Sequence, residues 1–140
     1  MRIILLGASV LVMSGLIPRP VAQGNTQWSG VYTEEQAASG EVLYRDKCAS
    51  CHGPELNGGE MAPALMGSEF TSNWNDLTLA DLFERIRTTM PQNAPQSLGR
   101  ADNAAILAFI LKKGGYPPGA GSLPSQTEML RIYKFMAIKP

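Results

Sequence analysis

Apolar residues return at helical intervals in three stretches, separated by breaks rich in glycine and proline. In the first, Thr33 to Lys47, Ala37, Gly40, Leu43 and Tyr44 share one face, leaving Glu41, Arg45 and Lys47 outward. Its opening, Thr33-Glu34-Glu35-Gln36, matches a capping box with acids in the first turn, where the helix dipole favours them. The second opens at Thr78-Leu79-Ala80-Asp81 and runs to about Thr88, with Leu79, Leu82, Phe83 and Ile86 on one side. The third, Arg100 to Lys113, carries the stripe Ala104, Leu107, Ala108 and Leu111, then two lysines and the stop signal Gly114-Gly115. Gly53 to Gly67 and Met90 to Pro95 are too rich in glycine and proline for regular elements and are predicted as loops. No convincing strand pattern precedes residue 130, so the expected class is all-α.

Both ends of the chain depart from this pattern. Met1-Arg2 and the apolar run Ile3 to Leu16 read as a secretory signal over residues 1–24, closed by Pro18, Arg19 and Pro20. A membrane-spanning helix needs about 20 apolar residues, so export is favoured over stable insertion, with an uncleaved N-terminal anchor as the alternative. Cleavage after Gly24 places Ala22 and Gly24 at the small-residue positions, and is preferred to cleavage after Ala22. Beyond a core domain at 25–116, Pro117-Pro118-Gly119-Ala120-Gly121 reads as a linker. Met129 to Ile138 alternates like a strand yet also suits a terminal helix. Residues 117–140 are expected to wrap on the domain, in preference to docking a partner, because their apolar side chains would be awkward left bare.

Charge adds an exclusion. The chain has 12 basic and 12 acidic residues, and residues 1–24 take away Arg2 and Arg19 but no acid, leaving the mature part mildly acidic. Nucleic acid, which is drawn to basic patches, is not an expected partner.

The candidate chemistry lies in one string. Cys48-Ala49-Ser50-Cys51-His52 gathers the only two cysteines and the only histidine of the chain. This spacing is the attachment signature of a c-type haem, in which two thiols add across vinyl groups and the adjacent imidazole reaches the iron. A thioredoxin-like pair would want a βαβ context, and a structural zinc site four ligands where the chain has three Cys and His in all. A plain disulfide is the bland alternative. A haem held by His52 leaves a sixth iron position, for which methionine is the natural protein ligand in the absence of a second histidine. Met90 stands out among Met61, Met66, Met90, Met129 and Met136: it follows a helix, sits in a proline-rich loop, and lies 38 residues past His52. That separation lets the chain return on the opposite face, whereas Met61 and Met66 lie close to the histidine in sequence. Most methionines simply fill gaps in cores.

With these motifs the chain resembles class I c-type cytochromes, monohaem with His/Met ligation, from about Gly40 to Tyr116. Gly40, Tyr44 and the Cys48–His52 string are similar to the first helix of that family, and Ile106-Leu107-Ala108-Phe109 to the last helix it meets. The resemblance implies a small all-α cytochrome c fold wrapped around one covalent haem c, bound through Cys48 and Cys51, with His52 and Met90 as axial ligands. Ala62-Pro63-Ala64-Leu65 resembles the loop whose proline carbonyl accepts the Nδ1 proton of the ligand histidine. Ordinary loop packing of Pro63 and Leu65 is the alternative. Trp74 resembles the aromatic donor to a haem propionate, with plain packing as the other reading. Arg85 and Arg87 are further candidate donors, although most helical arginines face water.

The phrases His52–Leu56, Met61–Leu65 and Asp81–Pro91 are similar to cytochrome domains associated with quinoprotein alcohol dehydrogenases. That likeness implies a periplasmic one-electron carrier rather than an enzyme, relaying electrons from a pyrroloquinoline quinone-dependent dehydrogenase to a respiratory acceptor such as a terminal oxidase. A soft thioether ligand and burial favour ferrous haem, so the couple is expected to lie fairly high. The haem edge and the apolar Met61–Ala64 stretch are the expected docking surface. The competing class is a haem enzyme or gas-binding sensor with an open or labile sixth position. A third reading, a subunit bound permanently to a dehydrogenase, differs from a diffusible carrier in copurifying with the enzyme.

Overall fold

The computed structural model describes residues 25–140, so the expected signal lies outside the described residues. Six helices follow a short 3-10 turn at Gln27–Ser29: α1 Glu34–Lys47, α2 Ala49–His52, α3 Gly67–Trp74, α4 Leu79–Thr89, α5 Arg100–Lys113 and α6 Thr127–Leu130. The fold is all-α among the described residues, with only two isolated bridges, Thr26 to Lys134 and Thr78 to Lys134.

Helices α1, α4 and α5 lie where the periodicity predicts them, and the caps show why. Thr78 accepts from the Asp81 N–H while the Asp81 carboxylate accepts from the Thr78 N–H at 2.8 Å, a complete capping box. At α1 the box is only half made. Thr33 accepts from the Gln36 N–H at 3.2 Å, but the Gln36 side chain turns away and pairs with Leu123, donating to its carbonyl (3.0 Å) and accepting from its N–H (2.7 Å). A long-range peptide-like pair thus displaces the local reciprocal bond.

The core is the crossing of α1 and α5. A Cβ at Gly40 would stand 1.8 Å from the Ala105 carbonyl oxygen, so only glycine allows this approach. One turn on, Tyr44 meets Phe109 with ring centroids 5.3 Å apart. The predicted stripe of α5 is broader than its periodicity indicates: every residue from Asn103 to Leu111 is buried. A helix apolar on nearly all sides lies within the molecule rather than on its surface.

The segment 117–140 is a strap pinned along the domain. The expected linker is held, because the Gly119 N–H donates to the Tyr32 carbonyl at 2.7 Å and its Cα packs on Gly30. After α6, Tyr133 and Phe135 exchange backbone bonds with Leu79, Leu77 and Asp76. Phe135 is fully buried between Phe70 and Tyr116, at ring distances of 6.0 and 5.5 Å. Gln27, also fully buried, pairs with the Met136 backbone in both directions, at 2.6 and 2.9 Å. Both extended and helical readings of 129–138 therefore hold part of the truth: one helical turn ends at Leu130, a turn follows at 131–132, and the chain then makes isolated bridges at Lys134 before bending at 137–138.

Candidate functional site

One wall of the site is built almost entirely from residues near one another in sequence. Cys48 closes α1 by donating its N–H to the Tyr44 carbonyl, and the Cys51 and His52 N–H groups both donate to the Cys48 carbonyl. The Cys-x-x-Cys-His string is thus one helical turn that follows directly on α1. It places residues three and four apart on a common side. Cys48 is half-buried, Cys51 is exposed, and the two thiols are not joined. Burial first, and the neighbouring Cys51 second, push the Cys48 thiol up to about 11.

His52 is buried, and its Nδ1 lies 2.8 Å from the Pro63 carbonyl oxygen. A carbonyl can only accept, so this contact puts the proton on Nδ1 and leaves Nε2 of the neutral ring with its lone pair free. The turn that returns Pro63 to His52 depends on Gly58. Its N–H donates to the His52 carbonyl at 2.8 Å, its φ is +72°, and a Cβ there would meet the Ala64 nitrogen at 2.5 Å. Leu65 is tied to the buried Leu56 by a backbone bond of 2.8 Å. The Tyr44 hydroxyl donates to the Gly53 carbonyl at 2.7 Å, and burial pushes that phenol up to about 12, so it stays a donor.

The opposite wall is made from distant segments. Met90 caps α4, donating its N–H to the Ile86 carbonyl, and opens the loop that leads to α5. Between the two walls lies a cleft of about 1240 Å³, which Cys48, Cys51, His52, Pro63, Leu65, Trp74 and Met90 all line. Met61 lines it too and is 80% exposed, whereas Met66, Met129 and Met136 lie outside the lining. Arg85 borders the cleft, but Arg87 does not: its guanidinium is forked onto the Glu84 carboxylate at 2.6 to 3.1 Å. The sequence reading missed the apolar contribution of Ile106 and Ile110 from α5, and it missed α3 as a helix, whose Phe70 faces the cleft beside the expected Trp74. Helix α3 begins at Met66 without a side-chain cap and is largely polar, so the spacing of Phe70 and Trp74 was its one signal.

The cleft suits a large, flat, mostly apolar ligand. Its volume exceeds the ~300–1,000 Å³ of ordinary small-molecule pockets. Facing it are two thiols, an imidazole with one free nitrogen, a thioether, and an indole whose N–H has no partner among the described residues. Among the described residues no three His, Cys, Asp or Glu side chains gather to hold a bare metal ion. That donor set fits an iron macrocycle with apolar faces and vinyl and carboxylate edges.

Fold and cleft together define a c-type cytochrome, a domain that carries electrons by means of c-type haem. The chain belongs to the family described as cytochrome c oxidase, cbb3-type, subunit III, which matches residues 35–110. Among solved structures, the crystal structure of the sulfane dehydrogenase SoxCD from Paracoccus pantotrophus resembles it, with a TM-score of 0.53 and 24% sequence identity. The match covers 79% of this chain but only 59% of that one, and at this identity it speaks to the fold alone. No curated protein matches the chain.

Proposed function

We propose that this protein is a periplasmic one-electron carrier whose haem c is bound covalently through Cys48 and Cys51, with His52 and Met90 as the axial ligands. The observation that carries the reading is the 2.8 Å contact of His52 Nδ1 with the Pro63 carbonyl, in a cleft that Met90 also lines. When bound, the haem supplies a one-electron couple, placed fairly high by a soft thioether and a mostly apolar enclosure.

The chain's own residues do the rest. Pro63 holds the imidazole tautomer and its orientation, which also raises the basicity of the ring. Tyr44 steadies the turn after His52 from within α1. Trp74 offers its indole N–H, and Arg85 a charge, to propionates at the edge of the cleft. Met61, exposed at the rim, extends an apolar surface through Ala62 to Ala64 where a redox partner docks transiently through a small interface. Redox proteins of the envelope are the partners, with a pyrroloquinoline quinone-dependent dehydrogenase as donor and a terminal oxidase as acceptor. No helix among the described residues is long and apolar enough to cross a membrane.

Visible spectra of the exported protein, oxidised and reduced, test this. Wild type should give the low-spin pattern with the weak red band of iron–methionine bonding, and Met90→Ala should lose that band. A high-spin wild type would instead indicate an open site and a haem enzyme or sensor.

A further inference from the structure

The strap touches the distant wall of the cleft at one polar cluster. Thr127, the first residue of α6, is 8% exposed. Its hydroxyl donates to Glu84 Oε1 and accepts from Arg100 Nη2 at 2.6 Å. Arg100 also donates from Nε to the Ser125 carbonyl at 2.9 Å, lies 3.7 Å from Glu84 Oε1, and places its guanidinium 5.4 Å from the Phe83 ring centroid. Glu84 belongs to α4, the helix capped by Met90, and Arg100 is the first residue of α5, directly after the 90–99 loop. One threonine hydroxyl therefore joins the two helices that begin and end the methionine loop.

We propose that Thr127 is a positioning residue for Met90: through Glu84 and Arg100 it fixes the spacing of α4 and α5 and so restrains the loop from releasing its ligand. The proposal rests on the axial role of Met90 put forward above. Three features support it. The Glu84 carboxyl is held down to about 2, chiefly by its bonds to Arg87 and Thr127, so the cluster is charged at neutral pH. Asn103, fully buried, donates to the Leu98 and Gly99 carbonyls at 3.1 and 2.8 Å, so the loop's exit is stiffly joined to α5 and follows its movement. The strap is held independently on either side of Thr127 by the Gln36–Leu123 and Gln27–Met136 pairs, so altering Thr127 does not free the strap.

Thr127→Val, which keeps the shape and removes the hydroxyl, is compared with Thr127→Ser in the full haem-loaded protein. Two readouts are taken: amide hydrogen exchange at Met90, Ala94 and Ser97, and the affinity of the ferric protein for imidazole. Hydrogen bonds to charged groups are strong enough that valine should raise both about tenfold, and serine should restore both. Unchanged exchange in the loop would overturn the proposal. So would exchange that rises equally at Leu43 and Tyr44 in α1, since that reports general loosening. Met90→Ala separates the two readings: if it binds imidazole no better than wild type, the axial role falls, and restraint of a ligand falls with it. Faster exchange in the loop alone, with unchanged imidazole affinity in Thr127→Val while Met90→Ala binds more tightly, would keep the ligand and reject the restraint.

Discussion

The two walls of the cleft are made in opposite ways. On the histidine side, His52 meets its partner Pro63 across 11 residues of sequence, and the string itself is one helical turn. On the methionine side, Glu84 is reached from Thr127 across 43 residues and Arg100 meets Thr127 across 27. The first wall is closed by short loops and needs little more than its own turn chemistry. The second costs the entropy of closing long loops, which tertiary contacts must offset. The two sides of the cleft therefore differ in what holds them, local turns around His52 and long-range contacts around Met90.

The sharpest way to break this comparison is to remove the anchor of the strap. Phe135→Ala deletes a fully buried ring packed on Phe70 and Tyr116 and should cost about 4 kcal/mol, measured by denaturant unfolding. A loss below about 0.5 kcal/mol, the usual range of a surface change, would mean that the strap is dispensable. Gly58→Ala challenges the local wall instead. At a φ of +72°, with the Ala64 nitrogen 2.5 Å from the new Cβ, it should cost about 2 kcal/mol and disturb the His52–Pro63 contact. A shifted reduction potential, with exchange in the 90–99 loop unaltered, would show that the walls act separately.

The smallest effect is electrostatic. Glu84 faces Arg87 on its own helix, Arg100 on α5 and Thr127 on α6, and its folded-state pKa of about 2 lies below the ordinary value of 4.5. Its contribution is therefore present above about pH 4.5 and is lost as pH falls towards 2. The stability difference between wild type and Glu84→Gln should shrink across that window. A difference that stays constant would mean that the charge on Glu84 does not matter to the distant wall.

Legibility followed the same division. Helix α5 was readable to both ends because its stripe, terminal lysines and glycine stop all agree. The meeting of Gly40 and Tyr44 with α5 was readable through resemblance, and the structure gives the reason in the lack of room for a Cβ. Helix α3 was not readable, because it has no capping side chain and its two aromatics take their meaning only from Phe135 and the cleft. The linker at 117–121 was misleading: its glycines and prolines suggest slack, yet Gly119 is packed against Gly30. Gln36 shows the limit most plainly. Its local pattern specifies a reciprocal cap, and a backbone 87 residues away took the side chain instead.

What the amino-acid order determined by itself was the chemistry and the local geometry: a helical turn that gathers two thiols and an imidazole, the helices that flank it, and a methionine at the end of α4. These depend on propensities, caps and spacings that act within a few turns of chain. Only the tertiary structure decided which methionines line the cleft, that α5 is buried nearly all round, and that the last residues brace the wall carrying Met90. Each of those outcomes depends on which surfaces are left to be covered once the helices have packed, and on polar side chains choosing between local and distant partners, which spacing along a chain does not encode.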